Sequence, residues 1–140
     1  MKSVIICGSI FAAAETILDI KKKLEKKGLK VEIPWGVKRY EANNFVHTRE
    51  DESAKLKKEQ DLIRRYFKLM RNYDAVLVMN TQKHGIPGYI GGNTFLEMGF
   101  AHVLNKPLYV FNPLPSKCPY LSEIEAMDPI VINGDLDKLK

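Results

Sequence analysis

The sequence predicts an α/β domain in which helices cover both faces of a parallel β-sheet. Short, continuously apolar runs such as residues 75–79 are typical of strands buried in a parallel sheet. Segments with the apolar spacing of helices alternate with these runs, which favours parallel over antiparallel strands. The 140 residues are enough for one domain with its own core and too few for two, so residues 1–140 are assigned to a single domain.

The elements follow from the apolar pattern and from the glycines and prolines that separate them. The predicted elements are a strand at 2–7, a helix at 10–27, a strand at 29–33, an irregular connection at 35–47, a long helix at 48–71, a strand at 75–79, a helix at 94–104, a strand at 108–111, a helix at 121–127 and a strand at 130–132. The aromatic and polar residues of the irregular connection either form a pocket wall or pack a surface loop.

The long helix carries two further expectations. A capping box from Thr48 to Asp51 begins it. Its buried stripe is predicted to consist of Leu56, Ile63, Phe67 and Met70.

Five strands in a chain of this length favour the order 2-1-3-4-5, the flavodoxin-like arrangement. In that order strands one and three are neighbours, but the helices that follow them lie on opposite faces of the sheet, which opens a crevice at the carboxyl ends of the strands. The two loops at this crevice are Gly8-Ser9-Ile10 and residues 80–93. The sequence therefore predicts a ligand site between these loops.

Composition and charge exclude several classes of function. No apolar run approaches the ~20 residues of a membrane span, and a strand begins within the first residues, so a cytoplasmic location is predicted. The net charge of +5 permits attraction to phosphate groups. Residues 21–27 carry much of it and are predicted to be a solvated helix face, so DNA binding ranks last. Cys7 and Cys118 lie far apart, which predicts free thiols, no metal and no cofactor.

Glu97 is the residue around which the predicted chemistry is organised. It follows the glycine-rich stretch that joins the third strand to the next helix. In one interpretation Thr94 and Glu97 form a capping box, and the carboxylate only caps its own helix. In the other, the carboxylate lies beside the Gly8-Ser9 turn and attacks an electrophilic carbon or holds a sugar hydroxyl. The residues alone leave both interpretations open.

The other predicted ligand contacts lie in the two crevice loops. Backbone N–H groups and the Ser9 hydroxyl at a helix start can hold an anion, although Ser9 is equally well explained as an ordinary cap. Neither a dinucleotide-binding nor a P-loop glycine motif is present, which disfavours those ligands. The predicted substrate contacts are Gly8, Ser9, Ile10, Asn80, Tyr89, Gly91, Gly92 and Asn93, with Tyr89 expected at the base.

Two segments resemble a known enzyme family. Cys7-Gly8-Ser9-Ile10 ends the first strand, and Glu97-x-Gly99-x-Ala101 is followed by Asn105-Lys106-Pro107. Both segments resemble the nucleoside 2-deoxyribosyltransferases and their relatives, the 2′-deoxynucleoside 5′-phosphate N-hydrolases, and the order of elements agrees over nearly the whole chain. The resemblance implies a flavodoxin-like fold and a homodimer or higher homo-oligomer whose subunits complete each other's pockets. It also implies that Glu97 attacks C1′ of the sugar, releases the base and passes the sugar to water or to another base.

Three positions depart from the pattern of the N-hydrolases. Ile5 stands where they carry a strand-one tyrosine, and Tyr66 stands where their helix aspartate is expected. Asp61 lies five residues too early to replace that aspartate without a rebuilt helix end. Asp61 and Tyr66 are kept as acid or sugar contacts only because they lie near the position expected for that aspartate.

The third departure lies near the C-terminus. Glu125-Ala126-Met127 stands where the family has a serine-alanine-methionine that meets the phosphate of the partner subunit's substrate. A carboxylate there would repel a phosphate, so either Ser122 substitutes or the substrate has no 5′-phosphate. Met127 is carried over as a substrate contact.

The sequence and the resemblance together predict an enzyme that cleaves the N-glycosidic bond of a nucleoside or nucleotide, by hydrolysis or base exchange. The alternative is a non-catalytic nucleotide-binding or signalling module on the same fold, which the missing strand-one tyrosine and helix aspartate favour. The expected partners are a small-molecule nucleoside or nucleotide and further copies of the chain, with neither membrane nor nucleic acid.

Overall fold

The computed structural model of the protein describes residues 1–46 and 53–140, without the side chains of residues 10–12. Its sheet contains β1 (Ser3–Gly8), β2 (Lys30–Glu32), β3 (Ala75–Met79), β4 (Leu108–Val110) and β5 (Ile130–Val131). The described helices are α1 (Ile10–Lys26), α2 (Trp35–Ala42), α3 (Ala54–Glu59), α4 (Leu62–Met70), α5 (Gly92–Val103) and α6 (Leu121–Ala126), followed by a 3₁₀ turn at Leu136–Lys138.

The strand order is β2-β1-β3-β4-β5 and every neighbouring pair is parallel, so the predicted flavodoxin-like order is confirmed. β1 lies between β2 and β3, and it pairs with β3 from Val4 opposite Ala75 to Gly8 opposite Met79. The carboxyl ends of these three strands meet at one edge of the sheet. The predicted crevice lies at that edge, because there the chain leaves β1 and β3 for helices on opposite faces.

Apolar side chains pack on both faces of the sheet, as a sheet covered on two sides requires. Val4 and Ile6 of β1 belong to the cluster that α1 and α2 cover, whereas Ile5 and Cys7 belong to the cluster that α4, α5 and α6 cover. All four side chains are fully buried. Because successive strand residues alternate between faces, the Cys7 thiol lies on the same side as α5.

The irregular connection predicted for residues 35–47 is wrong in its first part, because residues 35–42 form α2. The helix begins after Pro34 and buries Val37 against α1, and the Tyr40 hydroxyl donates to a Glu15 carboxylate oxygen of α1 at 3.1 Å. Packing on a neighbouring helix therefore stabilises a segment whose own pattern does not favour a helix. His47, the last residue of the predicted connection, lies outside the described residues.

The single long helix predicted after residue 48 is also wrong, because α3 and α4 are separated at Gln60 and Asp61. Asp61 has a left-handed backbone with φ 50°, which interrupts the helical path. The break turns α4 so that Tyr66 and Met70 are its buried residues, while Ile63 of the predicted stripe is 44% exposed. The proposed capping box, Thr48 to Asp51, lies outside the described residues.

Two expectations from composition are supported. Lys22, Lys23, Lys26 and Lys27 are exposed along α1, and Lys23 pairs with Asp19 one turn earlier, so this run is a solvated helix face. Cys7 and Cys118 are free thiols.

Across residues 1–46 and 53–140, no helix combines the length and the apolar character that crossing a membrane requires.

Candidate active site

Glu97 lies in the second turn of α5, which rules out its interpretation as a capping-box acid. The helix begins at Gly92 with Gly91 as its N-cap, two residues before the predicted start, so Glu97 is its sixth residue. Only the first few N–H groups of a helix lack partners within the helix. The carboxyl group instead lies inside the protein, and the residue is 7% exposed.

A cavity of about 280 Å³ opens at the carboxyl ends of β1, β2 and β3. Its volume is close to the lower end of the roughly 300–1,000 Å³ that is usual for small-molecule sites. The residues lining it include the predicted contacts Gly8, Ser9, Tyr89, Gly91, Gly92, Asn93 and Glu97. The two predicted crevice loops therefore meet around one cavity that contains the predicted nucleophile. Ile10 begins α1 at this turn, but its side chain is outside the described part of the chain.

Burial gives Glu97 an unusual proton affinity. Loss of hydration raises its pKa to about 8, although a hydrogen bond with the Cys7 thiol and the charge of Lys57 both act to lower it. The Asn93 amide nitrogen approaches one carboxylate oxygen at 3.4 Å, one helical turn earlier. At neutral pH the carboxyl group therefore carries a proton for most of the time.

Two lysines from separate elements face the same cavity. Lys57 of α3 and Lys83 of the loop after β3 both line it, and the Lys83 ammonium donates to the Ser9 hydroxyl oxygen at 3.2 Å. Ser9 is the N-cap residue of α1, but its side chain makes no capping hydrogen bond. Ser9 therefore holds the predicted cap position, but its hydroxyl is not used to cap the helix. Its hydroxyl belongs to a polar and cationic end of the cavity.

Tyr66 and Cys7 lie beneath the carboxyl group of Glu97. The Tyr66 hydroxyl donates to the backbone carbonyl oxygen of Ile6, and the Tyr66 ring lines the cavity. Burial, followed by the nearby charges of Cys7 and Glu97, raises the pKa of Tyr66. Burial also raises the pKa of Cys7, so both groups stay neutral, and the Cys7 thiol is the one that forms a hydrogen bond with the carboxyl group. The structure thus brings Tyr66 to the site from α4, where the sequence offered it only as a substitute for an aspartate.

Asn80 does not line the cavity, and its predicted role as a substrate contact is not supported. The side chain is fully buried, and its oxygen accepts from the Asn112 backbone N–H at 2.8 Å. Its amide nitrogen donates to the backbone oxygens of Asn112 at 2.9 Å and Pro113 at 3.1 Å. These contacts use the amide to join the loops after β3 and β4, so none of it faces a ligand.

Two further residues that were predicted as contacts, Asp61 and Met127, also lie away from the cavity. Asp61 is exposed, and its carboxylate accepts from the Arg64 guanidinium at 3.0 Å, so it is not among the residues that line the site. Met127 is half-buried against the apolar cluster that contains α5 and α6. Its predicted contact was to the pocket of a partner subunit, which stays a prediction.

The sequence reasoning missed Lys57 and Lys83, and it left open whether the irregular connection that begins at Trp35 forms a pocket wall or packs a surface loop; Trp35 lines the cavity, which supports the pocket wall at this residue. Trp35 is the third residue after β2, and its place beyond the carboxyl end of a strand next to β1 is a signal that could have decided between the two, because parallel strands end at the same edge. Lys57 gives no such signal, since its position depends on the break between α3 and α4. Lys83 lies within the predicted crevice loop and was overlooked in favour of the glycines.

Among the described residues, no three His, Cys, Asp or Glu side chains group closely enough to hold a metal ion. No protein-family model matches the sequence, and no curated protein matches it either.

Proposed function

We propose that this protein cleaves the N-glycosidic bond of a nucleoside or nucleotide, by hydrolysis or by transfer of the sugar to a second base. The observation that carries the proposal is the buried carboxyl group of Glu97. It lies at the crevice where the chain leaves β1 and β3 for opposite faces of the sheet, and it lines a cavity of nucleoside size. A carboxyl group that is held away from water beside neutral donors is suited to form a covalent bond with a sugar.

The reaction begins from the ionised form of Glu97. A carboxylate oxygen forms a bond with C1′ while the bond between C1′ and the base nitrogen breaks, and the electron pair leaves on that nitrogen, which takes a proton from water. Water or a second base then attacks C1′ while the bond between C1′ and the carboxylate oxygen breaks, which regenerates the carboxylate, and the attacking group gives its proton to the hydroxide left by the first step. Positive charge develops on the sugar during both steps, and a poorly hydrated carboxylate stabilises this charge more strongly than a hydrated one.

The test is release of free base from a panel of ribo- and deoxyribonucleosides, each with and without a 5′-phosphate. We expect release from at least one member, loss of release in Glu97→Gln, and unchanged release in Glu25→Gln, which alters an exposed carboxylate of α1 outside the cavity. Addition of a second free base separates transfer from hydrolysis by the appearance of a new nucleoside. Tight binding without release by the wild-type protein would contradict the proposal.

One observation favours a non-catalytic nucleotide-binding module as the second candidate. The pKa of about 8 leaves Glu97 largely protonated at neutral pH, and a protonated carboxyl group is a poor nucleophile. Such a module would bind the same nucleotides with equal affinity whether residue 97 is glutamate or glutamine. Calorimetry on the wild type and Glu97→Gln, combined with the base-release measurement, separates the two functions.

A further inference from the structure

Trp35 is the single tryptophan of the chain and lines the cavity at the end of β2. It is the first residue of α2, immediately after Pro34, and its side chain is half-buried. The Arg39 guanidinium, one helical turn later, lies 5.4 Å from the centre of its ring. A guanidinium at that distance forms a cation–π interaction with the indole, worth about 0.5–1 kcal/mol at an exposed position. Arg39 thus lies over one face of the ring and favours its position at the wall of the cavity.

A second aromatic residue that lines the cavity, Tyr89, is already in contact on several sides. His84 meets its ring edge to face with centroids 5.3 Å apart, and the Lys83 ammonium lies 6.0 Å from its centre. The ring is also so close to Gly91 that a Cβ added there would lie 3.3 Å from a ring carbon. Tyr89 therefore packs within the loop after β3, where its ring already has partners on several sides.

The strand order separates an aromatic end of the cavity, at Trp35, from a polar end, at Ser9 and Lys83. Trp35 follows β2, Ser9 follows β1 and Lys83 follows β3, and these strands are consecutive neighbours in the sheet. Neighbouring strands are about 4.8 Å apart, so the β2 and β3 ends are separated by roughly 10 Å. A nucleoside has the same polarity, because its flat base and its 5′ substituent lie at opposite ends of the sugar.

We propose that Trp35 stacks on the base of the bound nucleoside or nucleotide, and that the 5′ end of the sugar lies at Ser9 and Lys83. This orientation rests on the proposed function and assigns the base to Trp35 instead of Tyr89. The sugar then spans the β1 end of the cavity, where Glu97 is available to C1′. Stacking on an indole tolerates any base, so Trp35 supplies affinity for a nucleobase and leaves the choice among bases to other groups.

The fluorescence of the single tryptophan tests this assignment directly. Glu97→Gln, which keeps Trp35 and is expected to prevent turnover, is titrated with deoxyadenosine and deoxycytidine, each with and without a 5′-phosphate, and with ribose 5-phosphate. The base-bearing ligands are expected to quench the emission, whereas ribose 5-phosphate binds without comparable quenching. If the ligands with a 5′-phosphate bind more strongly than those without, a phosphate lies at the Ser9 and Lys83 end. If the two kinds bind equally, a 5′-hydroxyl lies there. Binding of a nucleotide by calorimetry with unchanged fluorescence overturns the assignment.

Substitutions in the Glu97→Gln background give a second, independent measurement. Base stacking is worth about 1–3 kcal/mol, so Trp35→Ala is expected to weaken nucleotide affinity by roughly 5- to 150-fold. Trp35→Phe keeps a ring and is expected to restore affinity to within about threefold. Phe45→Ala removes an exposed aromatic ring just beyond α2, outside the cavity, and serves as the matched control. Equal affinity in the alanine and phenylalanine variants of residue 35 overturns the proposal.

The outcomes for the two proposals are distinguishable. Quenching and a loss of affinity in Trp35→Ala, without base release by the wild type, would retain the base-binding role of Trp35 and overturn catalysis. Base release by the wild type that is unchanged in Trp35→Ala would retain catalysis and overturn the base-binding role of Trp35. Absence of nucleotide binding by calorimetry would overturn both.

Discussion

Replacement of Glu97 by glutamine should make the protein more stable at neutral and alkaline pH, by an amount that grows with pH. In the folded state the pKa of this carboxyl group is about 8, compared with 4.5 for an unperturbed glutamate, because burial disfavours the charged form. The folded state therefore binds the proton more tightly than the unfolded state. It follows that this group lowers the free energy of unfolding as the pH rises from 4.5 to about 8.

The size of the effect follows from the difference between the two pKa values. Below pH 4.5 both states are protonated and the group costs nothing. The cost reaches about 1 kcal/mol at pH 5, about 3 kcal/mol at pH 7, and levels off at about 5 kcal/mol above the folded pKa. Glutamine is uncharged at every pH, so Glu97→Gln should exceed the wild type in stability by these amounts.

Urea denaturation followed by circular dichroism at pH 5, 6, 7, 8 and 9 measures the difference between the two proteins. Other titrating groups change both proteins equally and cancel in this difference. Glu125→Gln replaces an exposed carboxylate and should stay within about 0.5 kcal/mol of the wild type throughout. The reasoning is refuted if the stability difference between Glu97→Gln and the wild type stays constant between pH 5 and pH 8.

Three further predictions concern the loops, the glycines and catalysis. Asn80→Ala should lower the free energy of unfolding in urea by about 2–3 kcal/mol, because it leaves buried backbone groups unpaired, whereas the exposed Asn72→Ala should change it by less than about 0.5 kcal/mol. Gly88→Ala should cost at least about 2 kcal/mol in the same assay, since its φ is +70° and the new Cβ would lie 2.3 Å from a backbone oxygen. Gly99→Ala adds a Cβ in open space inside α5 and should instead stabilise by about 0.5–1 kcal/mol; the opposite order of the two glycine variants would contradict these contacts. If Glu97 is the nucleophile, kcat/KM for base release should rise about tenfold per pH unit toward a plateau near pH 8; a rate that falls through this range would mean that the protonated carboxyl group is the active form.

The sheet and its crevice could be predicted from the sequence because they depend on local patterns. Continuous apolar runs mark strands that are buried on both faces, and their alternation with helices leaves few strand orders to consider. The glycines around residues 88–92 mark the turn into α5. The start of that helix was predicted at residue 94, whereas it begins at Gly92, and this difference of two residues is why the sequence left the capping-box interpretation of Glu97 open.

The remaining parts of the site depend on contacts between segments that are distant in the chain. α2 forms because Val37 packs on α1, and without that helix Trp35 would have no defined place at the cavity. The left-handed residue Asp61 turns α4 so that Tyr66, and not Ile63, faces the sheet. The role of Asn80 depends on backbone groups 32 and 33 residues later. Local periodicity carries no information about any of these partners.

The burial of Glu97 also bears on the choice between enzyme and binding module. At neutral pH this carboxyl group costs the fold about 3 kcal/mol, which is a large share of the roughly 5–15 kcal/mol by which domains are stable. A site that only binds a sugar hydroxyl could use a glutamine, which offers a donor and an acceptor of the same size without that cost. A nucleophile needs an oxygen that can ionise, and the same poor hydration that destabilises the fold makes the ionised oxygen more reactive toward C1′. The proposed catalytic role would account for this energetic cost, whereas binding alone would not require it.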